Sequence, residues 1–444
     1  MFKKLILFVA IVAFYGCQTY RPLEISLEQD LENWQKNLVG INSSNHHVTA
    51  EDKAELQQSL SLTTARELAV RYNPEFVVAV KKLATAESIA AHAGLWQDPS
   101  IGADAGKVLI KDPARDWTSG VTVGLSLPIN GALSVEKELA KKQKFAEAAN
   151  LKQQRISLIE SLNATWYDWS SVSEKIDLYQ NYTQTLSEMV DRAKKLAEAG
   201  ELESTDVRQL SIGFAEAKNE LSAMKVRQKQ LHLQLLQLIG ASPNADLKFK
   251  PELLCCSVDT NSIRQQLVSD NPQLQLQKAM VEAADSAYKL EIHRQYPDLE
   301  ISTGYVQDLE ERSIPIGISL TLPIWNRNKL GVAKSEKERD AAVAELRATL
   351  AVVSSQIRQL ELQFNLADSY AQTLESEVIP LINKQMEEVI KRLKVGEVET
   401  LLITDVMERS LELKSKLIDA KLEVAKTHNS THALIGYVAI EKEN

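Results

Sequence analysis

Val121-Thr122-Val123-Gly124-Leu125-Ser126-Leu127-Pro128-Ile129 and Ile316-Gly317-Ile318-Ser319-Leu320-Thr321-Leu322-Pro323-Ile324 are the stretches on which the fold turns. In each, apolar side chains alternate with Gly, Ser or Thr, so one face of a strand is oily and the other small and polar. The first extends back to Thr118 and the second to Ile314, across Pro315. Partner strands begin at Pro99 and Pro297, where Leu299, Ile301, Thr303 and Tyr305 alternate with Glu300, Ser302 and Gly304. The strand regions are therefore expected at about 99–127 and 297–322. One such strand also fits a half-solvated soluble sheet. Four, in two matched hairpins behind a secretory signal, read as transmembrane, because a tilted spanning strand needs about ten alternating residues. Open sheet edges are not tolerated in lipid, and the smallest common barrels have about eight strands. Four strands per chain thus predict a barrel built from several chains.

The strands belong to a longer repeat. Asn73-Pro74-Glu75-Phe76 returns as Asn271-Pro272-Gln273-Leu274, Thr205-Asp206-Val207 as Thr404-Asp405-Val406, and Leu238-Ile239-Gly240 as Leu434-Ile435-Gly436. The order is the same in both copies, as duplication requires. This divides the chain into a first repeat over 61–240, a connector over 241–260 and a second repeat over 261–444.

Only 16 Gly and 12 Pro occur in 444 residues, about half the usual share, which leaves room for very long helices. Val343, Leu346, Leu350, Val353, Ile357, Leu360 and Phe364 start an unbroken 3-4 spacing that continues through Ala371, Leu374 and Val378 to Leu381. That is a coiled-coil seam, and Pro380 is expected to kink or break it. In the first repeat, one helix from Val135 to Ala199 would be roughly 98 Å long. That exceeds a compact domain and suits a structure crossing a periplasmic space. A mean hydropathy of −0.21 excludes a polytopic helical membrane protein. A net charge of −9 gives no support for nucleic acid binding.

The N-terminus reads as a signal peptide over 1–16: Lys3 and Lys4, then the apolar run Leu5 to Phe14, too short to span a bilayer. It ends at Gly16-Cys17, which resembles a bacterial lipoprotein box, although Phe14 and Tyr15 depart from the usual residues. Cys17 is the expected lipidation site of a lipidated segment over 17–60, and Gln18 after it, by resemblance to bacterial sorting signals, favours the outer membrane. Cys255 and Cys256 are adjacent, with Cα atoms about 3.8 Å apart, too close for ordinary disulfide geometry.

Taken together, these features resemble the TolC family of outer-membrane efflux proteins. Its sharpest carriers are Ala199-Gly200-Glu201-Leu202-Glu203-Ser204-Thr205-Asp206-Val207, the stretch Val395-Gly396-Glu397-Val398 running on to Thr404-Asp405-Val406, and Val378-Ile379-Pro380-Leu381. The resemblance implies an α+β membrane protein with an internal two-fold repeat. Long coiled-coil helices would form an α-barrel tunnel, and four strands per chain would complete a 12-stranded barrel in a homotrimer. It implies a passive exit duct in the outer membrane of a Gram-negative bacterium, lipid-anchored and reaching into the periplasm. Its partners would be outer-membrane lipid, a periplasmic adaptor and an inner-membrane pump of the RND type, with the heavy-metal branch favoured. An exit duct for type I protein secretion and a lipid-anchored coiled-coil adaptor are the alternatives.

By the same resemblance, hairpin tips at about 199–206 and 395–405 would meet the adaptor through Gly200, Glu201, Leu202, Gly396, Glu397 and Val398. Asp206 and Asp405 are candidates for a periplasmic gate, where threefold symmetry would turn each into a carboxylate ring favouring cations. As single residues, Asp206 and Asp405 are more simply helix-start caps. The second tip has three more residues between its Gly and Asp, so the tips are expected to differ by nearly one helical turn. Leu393 stands where the family's best-known member has a gate-locking Tyr, and that lock does not carry over. No P-loop, HExxH motif or dinucleotide turn occurs, so no catalytic residue, cofactor or enzyme activity is expected. His428 and His432 are spaced as metal ligands can be, yet a pair flanking an apolar stripe is more simply structural. His46-His47 reads the same way, so no metal site is assigned.

Overall fold

The computed structural model describes residues 20–36, 59–107, 117–253, 269–308, 311–395 and 400–436. After an exposed helix α1 (Leu27–Lys36), the first half comprises α2 (Leu62–Tyr72), α3 (Pro74–His92), β1 (Ser100–Lys107), β2 (Trp117–Leu127), α4 (Ala132–Glu198) and α5 (Ser204–Ile239). The second half comprises α6 (Pro272–His293), β3 (Leu299–Asp308), β4 (Glu311–Ser313), β5 (Ile316–Leu320) and α7 (Lys329–Thr373). A π-helical turn (Leu374–Val378), α8 (Ile379–Val395) and α9 (Thr400–Leu434) complete it.

The recurring Asn-Pro and Leu-Ile-Gly pieces meet each other in space. Asn73 caps α3, its Oδ1 accepting from the Phe76 N–H at 2.9 Å, while its Nδ2 donates to the Leu238 carbonyl at 3.0 Å. Asn271 does the same with Leu274 at 2.8 Å and Leu434 at 2.7 Å. One side chain thus starts a helix and ties down the end of another. Pro at the first helical position loses no bond there. Gly240 and Gly436 end α5 and α9 at φ of 83° and 72°. A Cβ on Gly240 would overlap the Tyr72 carbonyl oxygen, and one on Gly436 would stand 2.7 Å from that of Asp270.

Helix α4 is continuous over 67 residues, about 100 Å. Its middle carries Leu162, Trp166 and Trp169 into the main core, against α2, the end of α5 and residues 241–249. Trp166 is fully buried, with Phe249 edge-on at 5.2 Å. Residues at the start of the connector therefore belong to the core. Leu60 bridges Phe249 in parallel, its N–H donating to the Lys248 carbonyl at 2.8 Å. Cys255 and Cys256 lie outside the described residues.

The long helix of the second half departs from its expected register. Instead of breaking at Pro380, it widens one turn earlier into the π-helical segment, where the Ile379 N–H reaches back five residues to the Leu374 carbonyl. The wide turn absorbs the donor that Pro380 lacks and spreads the ring away from the preceding turn. It also rotates the seam. Leu381, expected in the seam, is 68% exposed, and Ile382 replaces it at 4%.

The sheet is antiparallel, in the order β1-β2-β3, with β4 and β5 sharing the fourth position. The fourth strand was expected to run unbroken from Ile314 to Leu322. It is interrupted at Pro315, which has no N–H to donate, and ends at Leu320. The Pro315 carbonyl still accepts from the Gly304 N–H at 3.3 Å.

Candidate functional site

The sheet has two chemically distinct faces, set by register. Val121 pairs with Tyr305, Leu125 with Ile301, and Ile301 in turn with Ile318. Their face is apolar and open, with Ile316 78% and Ile318 72% exposed. On the other face Thr122 lies between Gly102 and Gly304, Asp104 faces Gly120, and Glu300 faces Ser126. Glycine leaves room there for the polar side chain opposite, since a Cβ on Gly120 would stand 2.7 Å from Asp104 Oδ2 and push the carboxylate aside. No described helix is long and apolar enough to cross a membrane. Among the described residues the sheet has two free edges, and a sheet set in lipid requires such edges to be paired by further copies.

Aromatic residues bracket the apolar face. Trp117 and Tyr305 stand toward the hairpin ends, and Trp96, Tyr296 and Trp325 toward the helices, all of them exposed. Amphipathic rings at both interfaces are a hallmark of spanning barrels. Sequence reasoning missed these belts, although half of the six Trp flank the strands.

At the first tip, Gly200 adopts φ of 74°. The Gly200 N–H donates to the Ala197 carbonyl at 3.1 Å, and the Glu201 N–H to that of Leu196 at 2.9 Å. This pair of bonds closes the end of α4 and reverses the chain. Glu201 is exposed, whereas Leu202 is half-buried against Val190, Ala193 and Leu210. Asp206 occupies the first turn of α5, where the helix dipole favours a carboxylate. Gly396, Glu397 and Val398 lie outside the described residues, as do Cys17 and His46-His47. Asp405 is exposed in the second turn of α9. Both returning helices begin four residues after their tip glycine, so the extra turn lies inside α9 and not in its loop.

Between tip and sheet, the halves are locked by a polar seam. Arg66 Nε donates to Asn163 Oδ1 at 2.8 Å, and Asn163 Nδ2 to Asn429 Oδ1 at 2.7 Å. Asn429 Nδ2 donates to the Glu160 carbonyl at 3.0 Å, and Ser430 Oγ to Glu160 Oε1 at 2.8 Å. Burial raises the Glu160 pKa above its ordinary value, and the Ser430 bond opposes this. His428 and His432 share one side of α9.

The family model for outer membrane efflux proteins matches residues 65–241 and 263–436. The chain belongs to the outer membrane efflux protein family. Cobalt-zinc-cadmium resistance protein CzcC of Cupriavidus metallidurans is 23% identical over 326 residues, covering 72% of this chain and 77% of that protein. Two solved structures share the fold. VceC of Vibrio cholerae superposes with a TM-score of 0.72 at 17% identity, covering 84% of this chain and 96% of VceC. CusC superposes with a TM-score of 0.69 at 11% identity, covering 94% and 99%. Outer membrane efflux proteins are passive outer-membrane channels that extend into the periplasm, form trimers and work with an adaptor and an inner-membrane pump. The two free edges of this sheet are what such a trimer closes.

Proposed function

We propose that this channel is the exit duct for divalent transition-metal cations in a tripartite system driven by an RND-type pump. The polar face of the sheet carries the reading: it sets Asp104 opposite Gly120 and Glu300 between Ser126 and Ser319, and threefold repetition would line the barrel with carboxylates, which favours cations. The kinship with a cobalt-zinc-cadmium resistance protein supports the same substrate class. Cys17 would carry the lipid anchor. Exposed Glu201 at the first tip, and Glu397 at the second, would meet the adaptor, with Gly200, Leu202, Gly396 and Val398 shaping the two turns. Asp206 and Asp405 would narrow the periplasmic mouth.

Purified protein in planar bilayers tests this directly. Cation-selective pores are expected, with selectivity reduced in Asp104→Asn/Glu300→Gln. Deletion of the gene should sensitise cells to cobalt, zinc or cadmium. Absence of pores, or an anion preference, would sink the duct for cations, and unchanged metal tolerance would remove the substrate assignment. For the tips, Glu201→Lys and Glu397→Lys should weaken crosslinking to the adaptor, and unchanged crosslinking removes them from the contact.

A further inference from the structure

His428 and His432 stand four residues apart on α9, and their Nε2 atoms are 3.1 Å from each other. The rings lie 4.3 Å apart at a tilt of 47°. Two explanations fit that separation. One is a single N–H···N hydrogen bond between neutral imidazoles. The other is a pair of lone pairs poised to converge on one cation. Two metal–nitrogen bonds of about 2.0–2.1 Å at a tetrahedral angle set the nitrogens roughly 3.3 Å apart. The pair therefore needs to open by only about 0.2 Å, less than ordinary thermal displacement.

The surroundings keep both rings neutral. Both rings are half-buried, and that burial, with His432 beside it, pushes His428 down to about 4 while His432 is also lowered. At neutral pH both are then in the unprotonated form that ligates. Their helix is held still. Asn429 and Ser430, between the two histidines in sequence, are bonded to Asn163 and Glu160 of α4, and Ala425 one turn earlier is buried in the main core. Preset donors on a fixed helix are what an i,i+4 imidazole pair needs to bind with little ordering cost. Among the described residues no group of three or more His, Cys, Asp or Glu surrounds a common point. Water would complete the shell, giving an open, exchangeable site and not a closed structural one.

We propose that His428 and His432 form a binding site for a divalent transition-metal ion of the zinc or cobalt class. The site stands on the geometry of the pair, goes beyond the cation-conducting lumen, and does not depend on what the duct exports.

The test uses tag-free, detergent-solubilised full-length protein, stripped with chelator and equilibrated with Zn2+ or Co2+. Wild type should retain about one ion per chain, and His428→Asn/His432→Asn should lose it while keeping its far-ultraviolet dichroism and trimeric size. Zinc K-edge absorption of the wild type should show scattering from two imidazoles, which holds even if the double variant fails to fold. Equal metal content in wild type and variant, or an edge spectrum without imidazole, overturns the site. Loss of the ion with His46→Asn/His47→Asn instead also overturns it.

Discussion

The two halves use the same parts and end up unequal. In the first, α4 runs unbroken and presses Trp166 and Trp169 into a core shared with α2, α5 and the connector. In the second, the equivalent helix is interrupted by the π-helical turn, and among the described residues the core beside the Asn271 joint is the smaller cluster of Leu274, Val353 and Ile357. Its other side carries Val352, Leu362, Leu366 and Tyr370, all exposed. The contacts that recur are those closed within one half, where Asn meets a Leu-Ile-Gly terminus. The apolar surface left over in the second half is what a trimer would cover. Duplication preserves joints, while the packing between joints has drifted to suit different neighbours.

The joints should fail hardest. Gly240 and Gly200 have nearly the same positive φ, but Gly240 abuts backbone and Gly200 has nothing within 4 Å of a built Cβ. Gly240→Ala adds overpacking to the conformational cost and should destabilise by about 4 kcal/mol, whereas Gly200→Ala should cost about 1 kcal/mol. Thermal melts of the two variants decide it: equal losses would show that crowding at the joint contributes nothing. The π-helical turn is tested next. Ile382→Ala should cost about 3 kcal/mol as a core truncation, while Leu381→Ala stays within about 0.5 kcal/mol. The reverse ranking would restore the unrotated seam and contradict the wide turn.

What the sequence discloses follows the range of the interactions concerned. The alternation of Val121, Val123 and Leu125 is a local signal with a two-residue period, so the strands and their membrane face were legible. The recurrence of Asn73-Pro74 and Leu238-Ile239-Gly240 was legible as repetition, but not as contact, because the partners are 165 positions apart. Pro380 announced a disturbance without its form. A missing donor can be met by a kink, a break or a wide turn, and only the packing of Leu374, Val378 and Ile382 selects among them. Leu202 read as a tip residue because neighbouring motif residues do, yet its side chain turns inward to Val190 and Leu210. The polar seam was invisible: Asn163 and Asn429 are unremarkable helix residues until α4 and α9 are laid side by side.

That seam is where the unequal halves are fastened, and it supplies the next effect in size. Asn429→Ala would leave the buried Asn163 Nδ2 without its partner and remove the second bond to the Glu160 carbonyl, at a cost of about 1–3 kcal/mol. Chemical denaturation is the measurement. A loss below about 0.5 kcal/mol would mean that water replaces the amide, leaving apolar contact and ion pairs such as Lys175–Asp419 and Lys426–Asp168 to fasten the halves.

The smallest effect comes from Glu160 on the same seam, and its sign is informative. Burial raises its folded pKa, an influence larger than the opposing bond from Ser430. A carboxyl raised on folding contributes stability below its unfolded pKa and loses that contribution as pH rises through the folded value. At neutral pH the ionised side chain is therefore a net cost at the junction. Glu160→Gln keeps an Oε1 acceptor for Ser430 and removes the charge, so the variant should melt above wild type at pH 7.5. The gain should shrink to nothing as pH falls to the ordinary carboxylate range, near 4.3. A variant no more stable than wild type at any pH would show that solvent reaches the carboxylate. The two halves would then meet across a wet joint, unlike the dry core that α4 builds around Trp166.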